Sequence, residues 1–460
     1  MANKNLLTNN SKVVSIEQAY VCPSTTTQGS TTDNIISSTY CFLSRVDPWA
    51  VESNPDMPLQ SQKYLKQVQK NIFVVKRISS GDISPVIKRI DWTANTVYDF
   101  YRDDLDMTAK DTTGFPVLKF YVKNIYDQVF KCLWNNNGGV STFEPYFEPG
   151  IYSSSNIFQA ADGYKWKYMY TIDVGRKIKF IDDNWIPVVI QPTAPNPLQT
   201  SAGAGSIDVI NVLSGGSGYD PTTSPINVVI TGDGTGAAAN VTVSAGVITD
   251  VVVTSPGTNY TYATATIQSA NGANAILEIF PSPIGGHGFD PVSELGCGSV
   301  MYTCEFYKNE GGAIPTDVDF HQVGLLVNPT SLDRVIGTVP YPANSSIYET
   351  TTDLVVSPGF GVYLQDEIVY QGTSLANATF FGTVVSFDQT QNLLHMINTT
   401  GTAITSEPLY GNTSLTTRTA LTLITPTFIP LSGYITYIEN ITGVQRSPDG
   451  IEQFKFVVNF

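Results

Sequence analysis

Tyr164-Lys165-Trp166-Lys167-Tyr168-Met169-Tyr170 is the stretch whose reading decides the fold. Its aromatic residues Tyr164, Trp166, Tyr168 and Tyr170 recur at every second position, which is the side-chain period of a β-strand. They therefore share one face, and Lys165 and Lys167 take the other. One packed aromatic face and one wet lysine face are expected, with a platform of rings for a ligand as the competing reading. Working outward, Val117-Leu118-Lys119-Phe120-Tyr121-Val122 and Val129-Phe130-Lys131-Cys132-Leu133-Trp134 are also β-branched and aromatic runs between turn residues, hence strands. One helix is expected from near Leu59, where Tyr64, Leu65, Val68 and Ile72 recur at three- and four-residue spacing, with Gly81 and Pro85 punctuating its end. Gly433 to Ile438 and Phe454 to Phe460 close the chain as strands, and Phe454, Phe456, Val458 and Phe460 alternate onto one face, which places the last residue inside a sheet.

Two segments depart from this pattern. After a linker marked by Pro195 and Pro197, a stretch rich in Gly, Ala and Thr and almost free of charge carries an imperfect internal repeat. Ile207 to Tyr219, through Gly216, matches Ile248 to Tyr260, through Gly257, at an offset of 41. The later parts, from Gly236-Ala237 and from Gly272-Ala273, match at an offset of 36. Two strand–turn–strand copies imply a small inserted β domain with internal pseudo-symmetry. Between 346 and 425, the runs Ile368 to Gly372, Phe381 to Val385 and Leu393 to Ile397 have barrel-like spacing. The fold class is thus mainly β, with β-sandwich domains, a few helices and α+β character in part, and it is multidomain with two inserted small β domains. The divisions are an N-terminal arm with first strands (1–57), a β-rich core with one helix (58–200), the Gly-rich repeat insert (201–283), a return to the core (284–345), a small barrel-like insert (346–425) and closing core strands (426–460).

With 460 residues the chain can bury a large core without a metal or disulfide staple. Charged residues make up only 14%, against ~25% in ordinary globular proteins. The balance of 25 basic against 40 acidic residues leaves a net charge of −15. That sign opposes a nucleic-acid footprint and an anionic membrane surface. No stretch approaches the ~18 apolar residues of a membrane span, and the opening MANKNLLTNNSK lacks the apolar run of a signal peptide. Cys22, Cys41, Cys132, Cys297 and Cys304 are odd in number and scattered, so reduced, buried thiols of a reducing cytosol are expected.

Residues able to carry chemistry are sparse. His321 and His395 sit in strand-like apolar surroundings and read as structural. His287, in Gly285-Gly286-His287-Gly288-Phe289-Asp290-Pro291, could hold a metal or shuttle a proton with Asp290 orienting its ring, or simply be bonded within a turn. Gly232-Asp233-Gly234-Thr235-Gly236-Ala237 resembles half of a dinucleotide fingerprint but runs into a strand-like segment instead of a helix. Asp99, Asp103, Asp104 and Asp106 lack the spacing of a calcium loop and are interrupted by Arg102. No catalytic residue, metal site or cofactor is expected, and the chain reads as a non-enzyme.

Six segments in register carry a resemblance. Ser44-Arg45-Val46-Asp47-Pro48-Trp49 looks like the S-R-x-x-P-W stretch of the baseplate wedge subunit of T-even-type contractile-tailed phages, the gene 8 product family. The helix region followed by Lys88-Arg89-Ile90-Asp91-Trp92 is similar to that family's helix and R-x-D-W segment, and Val129 to Leu133 resembles its V-x-R-C-L strand. Asp162-Gly163-Tyr164-Lys165-Trp166-Lys167-Tyr168 matches its most specific signature, D-G-Y-x-W-x-Y. Phe320-His321-Gln322-Val323 through Asn328-Pro329 resembles its F-x-Q strand and N-P turn. The last hairpin, Ser432 to Asn440 with Glu439, then Phe454 to Phe460, resembles its closing strands. The resemblance spans roughly 40–200, 295–335 and 425–460, leaving both inserts outside it. It implies a structural, non-enzymatic homodimer that binds other baseplate wedge proteins, is assembled in the host cytoplasm and resides in the virion tail baseplate. Pro48, Trp49, Asp91, Trp92, Asp162, Gly163, Tyr164, Trp166, Tyr168, Asn328, Pro329, Glu439 and Asn440 would be signature residues with structural roles. A carbohydrate-binding tail protein that contacts the host surface is the alternative; glycan contact would then run through the inserts or the Tyr164/Trp166/Tyr168 rings.

Overall fold

The computed structural model describes residues 38–148, 156–190, 203–310, 314–336, 339–342 and 347–460, together with Ser15. Cys22 and the Pro195/Pro197 linker lie outside the described residues. The fold is mainly β, built from several sheets with short helices between them. In chain order, β1 (Thr39–Ser44), α1 (Gln62–Lys70), β2 (Ile72–Ile78) and β3 (Ile83–Lys88) come first. They are followed by β4 (Tyr121–Lys123), β5 (Gln128–Trp134), β6 (Ile157–Gln159), β7 (Lys165–Thr171), α2 (Val174–Phe180) and β8 (Trp185–Pro187). The glycine-rich region supplies β9 (Ile210–Ser217), β10 (Asn227–Gly232), β11 (Thr235–Ser244), β12 (Val247–Thr258), β13 (Ala263–Gln268) and β14 (Ala273–Ile279). After α3 (Pro291–Glu294) run β15 (Ser299–Tyr307), β16 (Val318–Val327), β17 (Thr330–Ile336), β18 (Val339–Pro342) and β19 (Ile347–Tyr348). Last come β20 (Thr352–Val356), β21 (Ile368–Gln371), β22 (Phe380–Asp388), β23 (Leu393–Thr400), β24 (Pro408–Gly411), β25 (Thr417–Ile424), β26 (Tyr434–Arg446) and β27 (Ile451–Asn459). Two compact units result: Ser84–Met301 with Val457–Phe460, and residues 38–83 with Tyr302–Phe456.

In the second unit a five-stranded sheet has the order β19-β2-β1-β16-β26. β1, buried at every position, is its axis, and pairs antiparallel with both β2 and β16. Helix α1 starts where the Ser61 hydroxyl accepts the Tyr64 N–H at 3.3 Å. It packs Val68 among Tyr40, Phe42, Val75, Leu326, Tyr348 and Phe428. The helix is shorter than its periodicity implies: Ile72 begins β2, because the β-branched run from Ile72 to Val75 is better buried as a strand. Gly81 and Pro85 therefore punctuate the strands that follow it. Strands β20-β23-β22-β21-β24-β25 close into a barrel around Leu354, Val356, Val369, Val384, Leu394, Met396 and Leu409.

The first unit centres on the antiparallel sheet β4-β5-β7-β6. Of the expected 117–122 strand only Tyr121 and Val122 join it, within β4, and Val117 is exposed. Phe460 ends just past β27, 40% exposed, with its N–H donated to Gly298 O at 2.9 Å; it is not inside a sheet.

Strands β9 to β14 form three two-stranded ladders, and every ladder joins one copy of the repeat to the other: β9 with β14, β11 with β12, and β10 with β13. The register repeats as well. Ser217 faces Ala273 as Thr258 faces Thr235, and the bulge at Ile276/Leu277 recurs at Ala238/Ala239. This corrects the second offset from 36 to 38 for β11 and β14; the residue signal there is only alternating Ala, which slips easily by two. Ile207 and Ile248, Ile210 and Val251, Tyr219 and Tyr260 are buried in matching pairs. Tyr219 Oη accepts the Ala275 N–H, and Tyr260 Oη the Ala237 N–H, both at 3.3 Å. Gly272 and Gly234 are required under those rings, since a Cβ on either would sit 2.4 Å from a ring carbon.

Candidate functional site

The signature residues become braces. In the second unit Arg45, at φ +58°, donates to the carbonyls of Asp47 and Pro48 at 2.9 Å and stacks its guanidinium 3.9 Å above the Trp49 ring. Pro48 itself is exposed. The Trp49 indole N–H reaches Ile441 O at 2.8 Å. Asn440 Oδ1 accepts from Gln322 Nε2 at 2.9 Å and from the Tyr64 hydroxyl at 3.1 Å, joining β26, β16 and α1. Neighbouring Glu439 accepts the Tyr437 hydroxyl at 3.0 Å on the surface. Asn328, at φ +50°, exchanges two bonds with Ser38, and Pro329 is buried behind it.

In the first unit Asp91 pairs with Arg89 at 2.8 Å and Lys123 at 3.4 Å, and the Trp92 indole donates to Ser141 Oγ at 3.0 Å. Asp162 is the hub: its Oδ2 accepts from Ser141 Oγ (3.1 Å) and from the N–H groups of Thr142 (2.8 Å) and Phe143 (3.0 Å). Gly163 follows at φ +85°, where a Cβ would strike Asn136 at 2.7 Å. Tyr164 is fully buried, donates to Gly139 O at 2.6 Å and stacks on Trp166 at 5.5 Å. Tyr168 stacks on Phe147 at 4.1 Å. With Tyr164 and Trp166 at 0% exposure and Tyr168 at 9%, these rings are core and form no open platform for a sugar.

The opposite face of β7 corrects the expectation of a wet lysine surface. Lys165 and Lys167 are buried, as is Lys131 beside them on β5. The repeat region and the segment returning from it cover this face with acids. Lys165 Nζ pairs with Asp250 Oδ1 at 2.9 Å, and Lys131 Nζ with Glu294 Oε2 at 2.8 Å. Asp208 lies near enough to favour the charged forms of Lys131 and Lys167. His287 joins this cluster: its Nδ1 is 3.1 Å from Lys131 Nζ and 3.8 Å from Glu294, and its ring is edge-on to Tyr101. Asp290 does not orient the ring but caps α3 through the Val292 and Ser293 N–H groups. Glu294 Oε1 also accepts the N–H groups of Gly288 (2.8 Å) and Asp290 (3.2 Å). Burial pushes Glu294 up, but Lys131 and His287 outweigh it and hold the carboxyl near 2. Burial lowers Lys131 and His287 and drops Lys167 to about 8.

The last shift has a measurable sign. With Lys167 at about 8 when folded and 10.5 ordinarily, the unfolded chain holds the proton more firmly, so its contribution to stability rises as pH climbs through 8 to 10.5 and is lost below 8. Thiols and tyrosines titrate in the same range, so the contrast is with Lys167→Met. The stability of wild type minus that of Lys167→Met should rise by about 2–3 kcal/mol between pH 8 and 10 in urea titrations. A flat difference would refute the burial of a lysine there.

The remaining candidates are not brought together. Asp99 accepts the Lys119 N–H, Asp104 pairs with Arg102 and Asp106 bonds Thr108. The Gly232–Ala237 segment is the turn from β10 to β11. Among the described residues no group of three or more His, Cys, Asp or Glu could hold a metal ion, and no helix is long and apolar enough to cross a membrane. Cys41, Cys132, Cys297 and Cys304 are buried and unbridged.

A surface that sequence reasoning missed lies beside Asp162. Ile125 (71% exposed), Tyr126 (58%), Phe143 (52%) and Tyr146 (43%) project to solvent, with the two tyrosine rings edge to face at 5.0 Å. Their loops are pinned from behind. Asn124 Nδ2 donates to Pro145 O at 2.9 Å, Gln128 Nε2 to Phe147 O at 2.8 Å, and Glu144 accepts the Ile125 N–H at 2.9 Å. Apolar residues at the tip of the Asn124–Gln128 turn, where polar ones are the rule, were the available signal. No protein-family model matches the chain, and a search of curated proteins returns no match.

Proposed function

We propose that the chain is a structural subunit of a contractile-tail baseplate wedge, with β-sandwich domains at its core, which forms a homodimer, binds neighbouring wedge proteins during assembly in the host cytoplasm and stays in the virion. The observation that carries this reading is the pairing of Asp162 with the apolar surface beside it. The most specific segment of the resemblance, Asp162 to Tyr168, is spent on bracing a loop that displays Phe143 and Tyr146. A rigid aromatic patch is what protein interfaces use at their centres, since it orders little on binding. Contiguous exposed apolar surface of this kind marks interaction sites. The other segments of the resemblance likewise contribute bracing or core residues in this fold.

Size-exclusion chromatography with light scattering tests it, on the purified chain alone and mixed with baseplate wedge proteins. The expected mass is twice 49.9 kDa, with co-elution in the mixture. A monomer that ignores those proteins overturns the reading.

A further inference from the structure

A cavity of about 450 Å³ opens in the second unit, walled on one side by Asn309 and Ile314 to Asp317 and on the other by the β22–β23 hairpin of the barrel. That volume suits a small ligand. Asn309, Thr316, Asp317, Ser386, Gln389 and Gln391 line it, and among the described residues none of these side chains bonds to protein. They present amides, hydroxyls and a carboxylate, which can donate to and accept from adjacent hydroxyl groups. The hairpin is held in shape by Asp388, whose Oδ1 accepts the N–H groups of Thr390 at 2.7 Å and Gln391 at 3.1 Å.

One wall group is fixed from behind. His395 on β23 has Nδ1 2.9 Å from Oδ1 of buried Asp353 on β20, a close polar contact off the line of a hydrogen bond. Nε2 is the ring's remaining polar atom. Phe387 adds an apolar wall, its ring held nearly perpendicular to Tyr363 at 5.3 Å and backed by the Arg418 guanidinium 4.9 Å from its centroid. Among the described residues no lysine or arginine lines the cavity, whereas Asp317 and Asp388 do. An anionic ligand would meet those two carboxylates and be disfavoured.

We propose that this cavity binds a neutral saccharide, whose hydroxyls take the uncommitted amide, hydroxyl and carboxylate groups and whose C–H face rests on Phe387. The site shares no residue with the surface near Asp162, so its failure leaves the assembly reading untouched. The test is the full chain on an array of neutral and acidic glycans, followed by calorimetric titration with the best neutral oligosaccharide and with sialyllactose. Saturable binding of neutral glycans is expected, without binding of sialyllactose. The Asp317→Asn/Gln391→Ala double variant alters exposed side chains with no partners in the fold, and should weaken binding at least tenfold. His395→Gln should weaken it too. Absence of any neutral glycan binder, equal binding of sialyllactose, or unchanged affinity in the double variant each overturns the proposal.

Discussion

Glu294→Ala lowers the unfolding free energy of the Ser84–Met301 unit by about 3–5 kcal/mol, the usual cost of removing one partner of a buried ion pair. The side chains of Lys131 and Glu294 are 0% and 3% exposed, and 2.8 Å separates their charged atoms. Alanine would strand the ammonium beside His287, which cannot replace a carboxylate, and would orphan the Gly288 and Asp290 N–H groups. Lys131 can shed its proton, since burial already lowers its affinity for one, and that keeps the loss from running higher. The Lys131→Met/Glu294→Gln double variant removes both charges while Gln keeps an acceptor for the two N–H groups, so it should recover most of the loss. Urea unfolding followed by tryptophan fluorescence reads this unit, because Trp92, Trp134, Trp166 and Trp185 all lie in it. A loss under 1 kcal/mol for the single variant, or a double variant no better than the single, would show that the pair is not buried as described.

On the proposed assembly role, Phe143→Asp/Tyr146→Asp weakens association with wedge proteins by roughly 30-fold or more, or about 2 kcal/mol, the threshold for an interface hot spot. Neither ring supports the fold: Phe143 is 52% exposed and Tyr146 43%. What they have is rigidity, from Asp162 behind Phe143 and from the Asn124 bond to Pro145 beside Tyr146. Binding then spends little on ordering the loop, and a carboxylate in the patch must be desolvated against apolar surface. Light scattering of each mixture gives the result, with the urea midpoint confirming an intact fold. Undiminished association would place the interface elsewhere. A shifted urea midpoint would instead assign the rings to the core.

Much of the architecture was legible in local pattern. Strand β7 was marked by its alternating aromatics, the barrel by short apolar runs, and the repeat by Gly216/Gly257 and Tyr219/Tyr260. The lysines were misread for a physical reason. Alternation separates two faces but does not say what covers the second, and here the cover comes from far along the chain, 85 residues on for Asp250 at Lys165 and 163 for Glu294 at Lys131. Lys131 did carry a clue. In Val129-Phe130-Lys131-Cys132-Leu133-Trp134 it is the lone polar residue of a strand without a polar face, so it must be buried and paired. Nothing local identifies Glu294 as its partner, because the pairing spans 163 residues. Similarly, α1 was overextended because Ile72 continues a helical spacing and also opens a β-branched run, and burial in a sheet decides between them.

The crossed pairing of the glycine-rich region bears on how this part of the chain answers a pulling force. Because each ladder takes one strand from either copy, neither half holds a ladder between two of its own strands to retain under tension. Stretching this region cannot peel off one copy and leave the other as an intermediate rung; it either keeps its full length or yields in a single extension.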